Sequence, residues 1–124
     1  MSRLQLEHGS KTQRAGVRGE TIALWYLRFH GYRLLERNYL VGHKEIDLIM
    51  KRKNTVVFVE VKTRNRADSR IPAQMSVDRR KQRNIIAASK TYALRKGLNK
   101  VVLRNDIVEV TLKGLKVNHI INAF

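Results

Sequence analysis

Residues 45 to 62 read EIDLIMKRKNTVVFVEVK. Two runs rich in Val, Ile and Phe flank the polar tetrapeptide Lys51 to Asn54, the composition and spacing of a β-hairpin. The tip is either the pair Lys53 and Asn54 or the four residues Arg52 to Thr55, and both choices give one register. It sets Ile46 against Val61, Leu48 against Val59 and Met50 against Val57, an all-apolar face. On the other face Asp47 stands across from Glu60, and Glu45 across from Lys62. Facing side chains in an antiparallel pair have Cβ atoms about 5 Å apart, so two carboxylates placed there repel. Something positive has to stand between them.

A divalent cation is the economical solution. Mg²⁺ is held by one or two carboxylates, keeps several waters, and completes its shell with substrate phosphate. Asp47 and Glu60 suit that task as metal ligands, and Lys62, two residues along from Glu60, presents its ammonium on the same face. Such a set suits phosphodiester hydrolysis, with the cation on the phosphoryl oxygen and Lys62 steadying the developing charge or orienting the water. A plainer alternative stays open: Asp47, Glu60 and Lys62 as a solvated ion-pair cluster, with Glu45 and Lys62 a simple cross-strand pair.

Outward from the hairpin, Gln13 to His30 carries Ala23, Leu24 and Leu27 at helical spacing, with Gly31 as a stop signal. Glu20 lies one turn earlier on the same side. It could reach the hairpin site, or serve only the helix dipole. Trp25 and Tyr26 are expected in the core, with base stacking as the other use of an aromatic pair. Tyr32 to Asn38 reads as a short strand. Residues 63 to 77 hold the only proline, Pro72, and form a connection without period. Asp78 is a helix N-cap, and Gln82, Ile85, Ile86, Ser89, Tyr92 and Ala93 mark one face of a second helix ending near Gly97. Val101 to Leu112 and Leu115 to Ile121 are β-rich, separated by Lys113 and Gly114. The order is α-β-β-β-α-β-β, in one domain over residues 13–124 behind a flexible arm at residues 1–12.

The 124 residues carry 26 Lys and Arg against 10 Asp and Glu, a net charge of +16 that calls for a polyanionic partner. At 43% hydrophobic residues the chain can still build a core, and the absence of cysteine excludes disulfide scaffolds and thiolate metal sites. Its longest apolar run, Ile22 to Leu27, falls far short of the roughly 20 residues that span a bilayer. A cytoplasmic protein with no membrane partner is expected. His8, His30, His43 and His119 share no zinc-ligand spacing, and Gly16 and Gly19 form no phosphate-binding loop. Basic residues crowd between positions 62 and 83, where Arg64, Arg66, Arg79, Arg80, Lys81 and Arg83 are candidate phosphate contacts leading into the site.

GVRGETIALWYLRFHGYRLLERNY, KEIDLI, VVFVEVKTR, VDRRKQRNIIAASKTY, RNDIVEV and the terminal HIINAF, taken in this order, resemble the YraN-type family of small bacterial endonuclease-like proteins. The resemblance runs from about Gly16 to Phe124. It implies an α/β fold with a restriction-endonuclease-like core of the PD-(D/E)XK kind, a central mixed sheet flanked by helices, similar to archaeal Holliday-junction resolvases. On that pattern Asp47 matches the acid of the first motif, Glu60 and Lys62 the E-x-K pair, and Glu20 the acid of helix one. Lys44 stands where the family usually has glycine, and Asn105 where it usually has an aromatic residue.

The expected function is nucleic-acid binding, DNA before RNA, with Mg²⁺- or Mn²⁺-dependent phosphodiester cleavage, branched DNA being one candidate substrate. Asp47, Glu60, Lys62 and Glu20 are the candidate catalytic residues. One alternative is a non-catalytic binder of structured DNA or RNA that keeps the fold. A second is an interaction module for an acidic protein partner. A homodimer is left open.

Overall fold

Lys53 and Asn54 form the hairpin tip, Lys53 with a positive φ of 54°, and Arg52 faces Thr55 across it. The structure is a computed structural model and describes residues 11–66 and 77–124. Around the hairpin it places helix α1 (Lys11–Phe29), strands β1 (Arg33–Val41), β2 (Lys44–Arg52) and β3 (Thr55–Arg64), helix α2 (Arg79–Arg95), and strands β4 (Val102–Thr111) and β5 (Lys116–Ile120). The element order is the expected α-β-β-β-α-β-β, and the five strands form a single mixed sheet in sequence order. The expected arm falls on positions outside the described residues except for Lys11 and Thr12, which begin α1. Positions 67–76 of the Pro72 connection also lie outside them.

β2 is antiparallel to both β1 and β3, β4 is antiparallel to β5, and β3 and β4 run parallel through ten residue pairs from Thr55↔Val102 to Arg64↔Thr111. Parallel neighbours require a crossover, which here contains α2. β3 therefore lies mid-sheet, and Val56, Val57, Phe58 and Val59 are each at most 1% exposed. Helices cover both faces of the strand, so its apolar run is nearly continuous. On one face Ala23, Leu24 and Leu27 of α1 pack on Leu48, Met50, Val57, Val59, Val108 and Val110. On the other, Ala88 and Tyr92 of α2 pack on Ile46, Ile49, Val56 and Phe58.

The pairs expected beyond Leu48↔Val59, Asp47 with Glu60 and Ile46 with Val61, are not among those the two strands form. Ile46 does not share a face with Leu48 and Met50; it packs with Ile49, Phe58 and Tyr92 beneath α2. The β2–β3 ladder ends at Leu48↔Val59, so the alternation that continuous pairing would impose is not maintained beyond that pair. Trp25 is not core either: it is 54% exposed. Ala23 and Leu27 flank it in sequence by two residues each, about 200° around the helix, and they fill the face that the sheet can cover.

A buried ionic cluster fastens the chain's end to the sheet. Asp106 is fully buried, and Arg104 grips it with Nε to Oδ1 at 2.9 Å and an Nη2 to Oδ2 contact of 2.8 Å. His119 Nε2 lies 2.7 Å from Oδ2, and the Asn122 backbone N–H donates to Oδ1 at 2.9 Å. Burial opposes the Asp106 charge, but His119, Arg104 and the Asn122 N–H outweigh it and hold the carboxyl below its ordinary range. Next to it, Asn105 accepts from the Ala123 N–H through its backbone oxygen at 2.8 Å.

Candidate functional site

Gly19 fixes how α1 meets the sheet. A Cβ built there would stand 1.9 Å from Thr63 Oγ1, so only a residue without a side chain lets the helix backbone approach β3 this closely. Glu20, the next residue, is thereby held where the charges of Glu60 and Glu45 reach it. Asp47 arrives from β2 just beyond the last β2–β3 pair, and its Oδ2 accepts the Val61 N–H at 2.8 Å. The carboxylate thus takes over a backbone donor where the ladder stops.

Asp47, Glu60, Lys62 and Glu20, the four candidate catalytic residues, converge electrostatically around the ends of β2 and β3. Glu60 is 4% exposed, and its Oε1 lies 2.5 Å from Lys81 Nζ. Burial first, and then the Glu60 charge, push the Asp47 carboxyl up to about 8, against the opposing Val61 N–H. Burial raises Glu20 as well, although Arg37, with Nε 3.9 Å from Oε1, works the other way. Lys62 is lowered, by burial and then by the charge of Lys81. For Lys81 burial also acts downward, but its hydrogen bond and charge attraction to Glu60 and the charge of Asp47 win and raise it.

Lys81, one of the candidate phosphate contacts, is half exposed and pairs with Glu60, and Arg79, Arg80 and Arg83 are exposed beside it around the start of α2. Lys81 precedes buried Ile85 by four positions and so shares its sheet-facing side, a phase already present in the sequence. Asp78 caps the helix as expected by accepting the Lys81 backbone N–H at 2.8 Å. Arg64 pairs with Glu109 at 2.8 Å, and Arg66 is exposed just past β3. Glu45 meets Asn38 rather than the expected Lys62. With its amide nitrogen turned inward, Asn38 donates to Glu45 Oε1 at 3.1 Å and to Glu20 Oε1 at 2.8 Å.

Among the described residues no three carboxylates or imidazoles group closely enough to cage a metal ion. Asp47 and Glu60 are two carboxylates, the oxygen-donor type a hard divalent cation takes, and they lie close enough for the charge of Glu60 to add to the effect of burial on Asp47.

Comparison with known proteins identifies the lineage. The model of the uncharacterised protein family UPF0102 matches residues 19–110. The chain belongs to that family. It is the YraN-type family whose motifs the sequence resembles. A UPF0102 protein of Chlorobium phaeobacteroides is 39% identical over 101 residues, covering 82% of this chain and 79% of that one. Relatives from Clostridioides difficile (39% identical, covering 86% of this chain and 92% of the relative) and Caldanaerobacter subterraneus (42%, covering 88% and 93%) are as similar. Among solved structures, SfsA of Pyrococcus furiosus in complex with Ca²⁺ aligns with a TM-score of 0.35 at 18% identity, over 87% of this chain and 62% of SfsA. No helix among the described residues is long and apolar enough to cross a membrane.

Proposed function

We propose that this UPF0102 protein binds nucleic acid and hydrolyses phosphodiester bonds with a divalent metal, DNA before RNA and branched DNA among its substrates. The observation that carries the reading is the place of Asp47: half-buried, its Oδ2 accepts the Val61 N–H next to the buried carboxyl of Glu60, in a strongly basic chain. Asp47 and Glu60 would hold Mg²⁺ or Mn²⁺, which when bound supplies a Lewis acid and lowers the pKa of its water. Lys62 would contribute the cation beside the scissile phosphate, its pKa lowered by burial and then by the charge of Lys81. Glu20 acts from the outer shell, oriented by Arg37 and Asn38. Arg66, Arg79, Arg80 and Arg83 track the phosphate backbone, and Arg64 does so from its pairing with Glu109.

Cleavage of labelled four-way junctions, flaps, duplexes and RNA in Mg²⁺ and in Mn²⁺ tests the reading. The parent should cut at least one, and Asp47→Asn and Lys62→Ala should lose roughly 100-fold or more in rate. Equal cutting by both variants, or none by the parent, overturns it.

A second reading draws on the Lys81–Glu60 pair, which already gives one of the two acids a cation. On that account the protein binds structured DNA or RNA without cutting it. Calorimetry with Mn²⁺ separates the two: a metal site sensitive to Asp47→Asn supports hydrolysis, and no metal binding supports the binder.

A further inference from the structure

The face of α1 turned away from the sheet is composed in an unusual way. Trp25 is 54% and Phe29 87% exposed, one helical turn apart. Arg14, Arg18 and Arg28 are exposed on the same side, and the Arg28 guanidinium lies 4.9 Å from the centre of the Trp25 ring. The only acid of the helix, Glu20, points to the opposite side, toward the β3 end. The stripe from Arg14 to Phe29 is roughly 22 Å long at the rise of an α-helix. Its middle touches the candidate site: Arg37 donates to Thr21 Oγ1 at 2.9 Å and also faces Glu20.

We infer that this stripe is a docking surface for an unpaired segment of a nucleic-acid strand, its bases stacked on Trp25 and Phe29 and its phosphates against Arg14, Arg18 and Arg28. The inference rests on the nucleic-acid reading above, and it does not need cleavage. Charge selects the occupant. A second copy docked through the same face would set these arginines against their own kind, as an isologous contact repeats one patch on both sides. An intact duplex satisfies the arginines but keeps its bases turned inward, leaving two large aromatic surfaces in water. An unpaired strand meets both needs, because every base has a face to stack and every linkage an anion. Arg28 over Trp25 already shows the ring face to be open to a planar cation, and a base can join that stack or replace the guanidinium.

Trp25 is the only tryptophan of the chain, so its emission reports on the stripe alone. The full-length protein is titrated with single-stranded oligothymidylate, with a blunt duplex of equal length and with anionic phosphatidylserine vesicles. Emission should be quenched by the single strand and not by the duplex. Phe29→Ala, which removes an almost wholly exposed side chain and leaves the fold and the reporter in place, should weaken single-strand affinity about tenfold and leave duplex affinity unchanged. Fluorescence anisotropy of labelled oligonucleotides reads the same loss for Trp25→Ala. Duplex and single strand binding alike with no change in Trp25 emission, or Phe29→Ala weakening both equally, overturns the stripe while the nucleic-acid reading survives. Quenching by the vesicles in place of the oligonucleotide also overturns it. Failure of every oligonucleotide to bind at low salt removes both.

Discussion

Gly19 of α1 abuts Thr63 of β3 so closely that a methyl group on Gly19 would overlap the threonine side chain, with Thr63 Oγ1 at 1.9 Å and both Cβ and Cγ2 at 2.9 Å from its position. Rotating Thr63 cannot clear its own Cβ, so in Gly19→Ala the helix has to lift from the strand. The expected loss is about 1–3 kcal/mol of stability, the usual range for overpacking. Because Glu20 follows Gly19 directly, any metal response of the protein should fall with it. Thr63→Ala removes two of the three clashing atoms and should restore part of the stability in the double variant. Urea denaturation of the four proteins checks both statements.

The contact also marks where reading a linear sequence stops. The hairpin was legible because one period, two β-rich runs and a polar tip determine its register, and Arg52↔Thr55 through Leu48↔Val59 are those pairs. Asp78 was legible because capping is local, decided within three residues. The parallel pairing of β3 with β4 was not, since nothing within either strand encodes a partner as distant as Val102 is from Thr55. Gly19 looked idle for the same reason: its role depends on Thr63, which meets it only after folding. The Trp25 error was of another kind. Hydrophobicity argued for burial, whereas the helical phase, set by Ala23 and Leu27, already turned it toward solvent. Helical phase also marks Lys81 off from the basic residues around it, since it lies four positions before buried Ile85 and reaches Glu60.

The stability of the metal-free protein should fall as pH rises through neutrality. Asp47 keeps its proton in the folded chain until about pH 8, whereas in the unfolded chain it releases it near its ordinary value of 3.8. Between those values the folded state binds the additional proton, so each pH unit costs up to about 1.4 kcal/mol of stability, and the contribution is fully present only below the unfolded pKa. Glu20, raised by burial, acts in the same direction. Asp47→Asn should flatten the slope and be more stable than the parent at pH 8. Urea titrations at pH 5, 6, 7 and 8 in a chelator measure it. Added Mn²⁺ should stabilise the parent more at pH 8 than at pH 6, and the variant at neither.

Asp106 predicts the opposite pH dependence. Its carboxyl is held below the ordinary range by His119, Arg104 and the Asn122 N–H against the effect of burial. Its contribution is therefore present above the unfolded pKa and lost as pH falls through the folded one. Asp106→Ala strands the Arg104 and His119 side chains and should lower stability by about 3–5 kcal/mol at neutral pH. Amide hydrogen exchange should show the loss concentrated in β5 and the residues after it, since Asn122 and His119 are the groups that Asp106 ties down.

On the proposed reading, Lys81 and a divalent cation would compete for one carboxylate. The Lys81 ammonium sits 2.5 Å from Glu60 Oε1 and is about half exposed, so it can withdraw into solvent along its flexible stem. A metal on Asp47 and Glu60 would have to displace it, and its attraction to Glu60 would set part of the metal's affinity. Lys81→Gln should therefore bind Mn²⁺ more tightly, by roughly tenfold, while the metal-free variant loses about 1–2 kcal/mol because Glu60 is left buried without its cation. Lys81→Arg keeps the charge and should keep the parent's affinity within a few fold. Titration calorimetry with Mn²⁺ on the three proteins, with urea denaturation in chelator beside it, reads both effects. Weaker metal binding in Lys81→Gln would instead make the ammonium a partner of the ion's bound water, and would remove the competition.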